Sequence, residues 1–198
     1  IASKFGQSGF QLLSEEDIGP QIGSEMFVRA LWAIVISLVA MIIYISIRFR
    51  FAYAAGAVVA LLHDVLVSAG VYCLAGKQID MTIVAALLTI IGFSVNDTIV
   101  IFDRIREKLK FMPGLPFKEI ANVSINETLS RTIITSLTVF MAVIVLFVFG
   151  GGAIHDFAFI FIIGLISGTY STVFIATPVM MALNFGRKGA GGNVEKKR

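Results

Sequence analysis

The chain has 198 residues, of which 57% are hydrophobic and only 15% charged, with a mean hydropathy of +0.90. Soluble domains average about 25% charged residues, and the apolar runs here are too long for a soluble core. The net charge of +3 excludes little, because in a membrane protein the placement of charges matters more than their sum.

The first 25 residues are polar, contain Gly and Ser, and start at Ile1 with no signal-peptide pattern. They read as part of a longer polypeptide whose upstream elements are missing. A spanning helix needs roughly 20 mostly apolar residues. Five segments qualify, over 26–47, 51–75, 81–102, 129–149 and 157–185. The expected fold is an all-α polytopic transmembrane bundle occupying residues 26–186. The fifth segment exceeds one bilayer thickness, so it should tilt, or kink at Pro178.

The connections are short and polar, except for 103–127. That stretch begins as a basic helical extension, Asp103 to Lys108, and breaks at Pro113, Gly114 and Pro116. Phe117 to Ile120 reads as a short amphipathic helix at the membrane surface. Basic residues alternate sharply across the spans. One side collects Arg48, Arg50, Arg104, Arg106, Lys108, Lys110, Lys118 and the tail 187–198, and the other only Lys4, Arg29 and Lys77. The positive-inside rule then places the N-terminal stretch outside and the C-terminal tail in the cytoplasm.

Two spans carry stripes of small residues. Gly56, Ala60, Asp64 and Ser68 fall on one face of the second. Gly164-x-x-x-Gly168, followed by Ser171 and Thr172, marks the fifth. Such spacing lets helices approach closely in lipid.

Three ionisable residues stand out within the apolar spans. Asp64 lies midway along the second. An ionised carboxylate there costs about 2.5–3.5 kcal/mol, so it needs a partner, a water-filled cavity or a bound proton. Neighbouring helical residues point about 100° apart, so a direct pair with His63 is not expected, and a structural hydrogen bond to another helix is the plain alternative. Asp97 sits in the third span among Ile90, Ile91, Phe93, Ile99 and Val100, with Ser94 on its face and Asn96 and Thr98 beside it. From Asp97 to Asp103 the helix rises roughly 9 Å, which argues against a short side chain reaching water. Arg131 opens the fourth span with Thr135 and Thr138 continuing its face, at a depth comparable to Asp97. A pair or a water-linked relay between them is open, as is simple snorkelling of the arginine.

Other chemistries lack their residues. Asp156 after the Gly150–Gly152 turn reads as a helix N-cap. There is no phosphate-binding loop, no zinc-spaced His/Cys set and no nucleophile–base pair. Cys73 is a lone apolar-run cysteine. No metal and no enzymatic activity are expected.

The stretch from Ile91 to Glu107, IGFSVNDTIVIFDRIRE, resembles the signature helix of the SecF family, a subunit or half of bacterial SecDF within the resistance-nodulation-division superfamily. Ile18–Gly23, Tyr44–Phe49, Leu62–Val65, Leu129–Ile133 and Gly164–Ser171 are similar to further family segments, so the likeness covers nearly the whole chain. It implies a six-helix half of which five helices are present, with 1–25 the end of a periplasmic domain and the segment leading into the bundle. It implies a bacterial inner-membrane protein that uses the proton-motive force to assist late protein export. Its coupling ion would be the proton and it would need no other cofactor. The implied partners are SecD, separate or fused, the SecYEG translocon, YajC and YidC, the exported preprotein and the lipid bilayer, with no nucleic acid. By the same resemblance Asp97 corresponds to the family's essential intramembrane acid and Arg131 to its basic partner. Asp64, Ser94, Asn96, Thr98 and Thr135 are supporting polar groups. Phe93 departs from the family's usual Tyr. Two other readings stay open: a small-molecule or lipid exporter of the same architecture, and a purely structural assembly subunit.

Overall fold

The computed structural model describes residues 20–49, 51–112 and 114–183. The N-terminal stretch to residue 19, Arg50, Pro113 and the basic tail lie outside the described residues. Within them the chain is helical throughout: α1 (Pro20–Arg48), α2 (Phe51–Leu74), α3 (Met81–Phe111), α4 (Phe117–Phe149) and α5 (Ala153–Ser171). A π-helical turn, Thr172–Ala176, follows α5 directly, and the helix then continues to Leu183. Among the described residues five helices are long and apolar enough to cross a membrane.

The helices form because each carries an apolar run free of interior proline, Pro178 excepted. Asp80 starts α3 by accepting the Ile83 backbone N–H at 2.9 Å, which fills one of the otherwise orphaned donors of the first turn. Asp156 does not cap α5. The cap position is Gly152, and the Asp156 carboxylate instead pairs with Lys77, tying the α2–α3 connection to the first turn of α5.

The third and fourth helices are longer than hydropathy alone suggests. α3 runs on to Phe111 and α4 begins at Phe117, not near 129, so only residues 112–116 interrupt them. The short surface helix expected at 117–120 is the first turn of α4. The charges that read as a solvated loop are consumed between the two extensions. Glu127 accepts from Arg104 at 2.5 Å and from Lys108 at 2.7 Å, while Arg104 also holds Glu107 at 2.6 Å. Beneath them Ile105, Ile120 and Ala121 are buried, so an apolar seam continues past the span. At roughly 1.5 Å per residue each helix is far longer than the ~30 Å hydrocarbon core.

α3 and α5 form the centre of the bundle. More than half of the apolar stretch of α3 is buried (56%), against 11% for α1 and for α4. α5 packs against α2, α3 and α4. The small-residue stripes are the packing faces. Gly56, Ala60, Asp64 and Ser68 are all buried on α2. Gly164 takes the side chain of Ile90 against its backbone, and Gly168 sits on Ser94.

The core divides into two apolar clusters. One, at the basic end, contains Phe49, Tyr53, Phe102 and Met180, with Tyr53 edge-on to Phe102 at 5.2 Å. The other, at the opposite end, contains Tyr72, Ile83, Val143 and Phe161. A polar layer centred on Asp64 lies at their junction. The irregularity anticipated at Pro178 occurs one turn earlier, as the π turn. Pro178 cannot donate to the carbonyl four residues back, and a π turn re-aims the freed groups. Thr177 donates to the Thr172 carbonyl at 3.1 Å, and Thr172 to that of Gly168 at 2.8 Å.

A β-carbon at Gly56 would lie 2.5 Å from the Ala176 carbonyl oxygen, whereas one at Gly70 meets nothing within 4 Å. Gly56→Ala should therefore destabilise the bundle by about 1–3 kcal/mol, and Gly70→Ala by no more than about 0.5 kcal/mol. Thermal denaturation of the detergent-solubilised protein separates the two.

Candidate functional site

Among the described residues two carboxylates are buried in the apolar part of the bundle, and their surroundings differ. Asp64, with no exposed surface, stands in the middle of α2. Its Oδ2 accepts from Ser94 of α3 at 2.6 Å and from Ser171 of α5 at 2.8 Å. Its Oδ1 accepts from Ser167 of α5 at 2.7 Å and lies 3.2 Å from His63 Nδ1. The His63 contact corrects the helical-wheel expectation. The Cα directions diverge, but the imidazole folds back far enough to reach the neighbouring carboxylate.

Asp97 is 4% exposed. Its one hydrogen bond among the described residues is long, from Ser136 of α4 to Oδ2 at 3.5 Å. Thr169 of α5 lies 3.2 Å from Ser136 Oγ, so three helices meet at this second group. Ser94 and Asp97 are both buried on α3, but they serve different neighbours. Ser94 turns to Asp64 and α5, Asp97 to α4.

The remaining anticipated residues separate in the same way. Thr98 donates to the Ser94 carbonyl at 3.1 Å and lies 3.2 Å from the Thr172 hydroxyl, which links α3 to the π turn. Asn96 is exposed and makes no hydrogen bond among the described residues. Thr135 is turned onto its own helix, donating to the carbonyls of Arg131 and Thr132 at 3.0 Å. Arg131 is not at the start of α4 but well inside it. It is exposed and forms no ion pair with Asp97. It lines a cleft of about 430 Å³ at the basic end with Tyr44, Arg48, Asp103, Arg104 and Glu127. Four hydroxyls that complete the carboxylate environments, Ser136, Ser167, Thr169 and Ser171, were not anticipated as site groups. Serines at i and i+4 in an otherwise apolar helix (Ser167, Ser171) are a signal for a shared polar partner.

The geometry can be set beside known proteins. Residues 2–186 match the family model described as protein export membrane protein SecD/SecF, C-terminal. The chain belongs to the SecD/SecF family. It is 48% identical to the protein translocase subunit SecF of Calditerrivibrio nitroreducens over 87% of its own length and 58% of that protein. It is 43% identical to the SecF subunit of Rhodothermus marinus over 92% of its length and 61% of that protein. Its fold superposes on the crystal structure of SecDF, a translocon-associated membrane protein from Thermus thermophilus, with a TM-score of 0.80 and 40% identity. That match covers 84% of this chain and 23% of the other. The chain thus spans about three-fifths of the SecF relatives it matches and under a quarter of the SecDF chain.

Removing one partner of a buried hydrogen bond costs about 1–3 kcal/mol. Ser167→Ala and Ser171→Ala should each lower stability by that amount, and the double variant should not equal their sum, because both serve one carboxylate. Thr135→Val, which removes only a bond to its own helix, should change stability by about 0.5 kcal/mol or less. SDS-unfolding midpoints of the purified protein give the comparison.

Proposed function

We propose that this chain is a SecF subunit of the bacterial Sec protein-export machinery in the inner membrane, working with SecD, and that Asp97 is its proton-coupling group. The observation that carries the coupling role is the contrast between the two buried acids. An ionised carboxylate offers about four acceptor sites. Asp64 has three serine hydroxyls and a histidine nitrogen within 3.2 Å, whereas Asp97 has one distant hydroxyl in an apolar helix. An acid so poorly supplied gains most from taking up a proton, and it retains unfilled sites for a partner outside this chain. Among the described residues no nucleophile–base pair stands at either acid, and the SecF relatives are named as translocase subunits, which supports a transport role.

Arg131 is the basic group of the same helix pair. With Asp97 ionised, the guanidinium and carboxylate attract across α3 and α4. With Asp97 protonated that attraction is lost, and α4 is freed to shift. One charge moved through 100 mV supplies about 2.3 kcal/mol, enough to change a two-state equilibrium roughly fifty-fold. In this reading the shift is passed to an extramembrane domain that acts on the exported chain, with the SecYEG translocon as the channel and YajC and YidC as neighbours. The orientation supporting it puts the Arg48–Arg104 end in the cytoplasm, by the bias of basic residues.

Asp97→Asn in the intact complex should reduce gradient-dependent export of a preprotein at least tenfold while leaving complex abundance unchanged. Arg131→Met should act in the same direction. Export at normal rates in both variants would instead assign the chain a structural assembly role.

A further inference from the structure

The pair His63 and Asp64 has no part in the coupling scheme above, yet it puts a titratable ring against a fully buried carboxylate in the middle of a spanning helix. We propose that His63 and Asp64 form a second proton-binding site, separate from Asp97, in which Asp64 remains the anion and the His63 imidazole takes up and returns the proton.

The carboxylate's surroundings match its ionised form. Three serine hydroxyls stand at its two oxygens, Ser94 and Ser171 on Oδ2 and Ser167 on Oδ1, and His63 Nδ1 is a fourth donor, to Oδ1, when that nitrogen carries its proton. That equals the lone-pair capacity of a carboxylate. A protonated Asp64 would have to displace one of them or turn one into an acceptor. The hydroxyls supply hydrogen bonds but no compensating charge, and an anion in an apolar interior without a counter-charge is costly. α3 presents Ser94 to Asp64, and α5 presents Ser167 and Ser171, none of them ionised near neutral pH. Asp97, one turn along α3 from Ser94, faces Ser136 on α4, and Arg131 lies in the cleft at the basic end. Among the described residues, His63 is the one group able to become cationic within ion-pair distance of Asp64, at 3.2 Å.

The Asp64 side chain is wholly buried, whereas that of His63 is 34% exposed on the outer face of α2, so the ring rather than the carboxylate is open to groups outside this chain. An imidazolium can keep its Nδ1 proton on Asp64 Oδ1 and exchange the proton on Nε2. Release leaves a neutral ring, still hydrogen-bonded to the carboxylate, and uptake restores the neutral-overall ion pair. No other bond forms or breaks. The serine knot would hold Asp64 in place through both steps, so the proton changes charge at the rim of the bundle without repacking its centre.

This site does not depend on the coupling role of Asp97, and proton occupancy can be read without export. The test is infrared difference spectroscopy of the intact complex in liposomes, titrated across neutral pH, with His63→Gln, Asp64→Asn and Asp97→Asn variants. The expected result is an imidazolium signal that is present in the unaltered protein, lost in His63→Gln, lost near neutral pH in Asp64→Asn and retained in Asp97→Asn. Where Asp64→Asn lowers complex abundance, His63→Gln carries the test, because its amide can still donate to Asp64. If no imidazolium signal is lost in His63→Gln, or if the His63 signal persists unchanged in Asp64→Asn, the proposal is wrong.

Discussion

A carboxylate without solvent exposure in an apolar bundle must find every hydrogen bond within the protein, and for Asp64 that requirement sets where three helices lie. Ser94 reaches it from α3, and Ser167 and Ser171 from α5, all within 2.6–2.8 Å. Hydroxyls on so short a side chain can do this only if the backbones come close. Gly168 makes that possible. A β-carbon there would stand 3.2 Å from that of Ser94 and 3.6 Å from Asp64 Oδ2. The close approach and the hydrogen bonds therefore depend on each other. Lipid offers no hydrophobic reason for helices to associate, so a polar knot supplies direction and register that apolar contact does not.

The knot leaves α4 outside. α4 meets α3 and α5 through Ser136 and Thr169 and through the ion pairs beyond the span, and little of its apolar stretch is buried. Within the span, moving α4 relative to α3 would disturb one 3.5 Å hydrogen bond at Asp97, and beyond it the Glu127 ion pairs would act as a tether. Moving α5 relative to α3 would strip donors from an acid with no access to water. The bundle thus has a fixed part, α2, α3 and α5, and a helix whose buried contacts are fewer. The two carboxylates fall on opposite sides of that division.

Hydropathy was enough to read five spans and the small-residue faces of α2 and α5. The extensions of α3 and α4 were not legible, because Arg104, Lys108 and Glu127 look like a solvated loop until the two helices are known to be neighbours. Asp64 and Asp97 could be marked as buried acids from their surroundings in sequence. Which of them is fully satisfied could not. The donors to Asp64 come from α3 and α5, and Ser171 is 107 residues away in the chain. The His63 contact escaped for a different reason. Helical spacing fixes where a Cβ points, but not where a flexible ring can fold.

The arrangement also bears on how a change at one acid could reach the other. Ser94 and Asp97 lie three residues apart on α3, and Ser167, Thr169 and Ser171 alternate along α5. Each helix therefore serves Asp64 from one face and the Asp97 group from another. On the proposed reading, a proton arriving at Asp97 removes the charge that draws Ser136 inward, and α4 loses its polar tie to α3 within the span while the Glu127 ion pairs beyond it remain. α5 does not follow, because Ser167 and Ser171 still hold Asp64. Had both acids been equally mobile, protonation would loosen the whole bundle and do no directed work. On that reading, a force passed outward requires one part of the membrane domain to stay still, and the serine-bound Asp64 would keep it so.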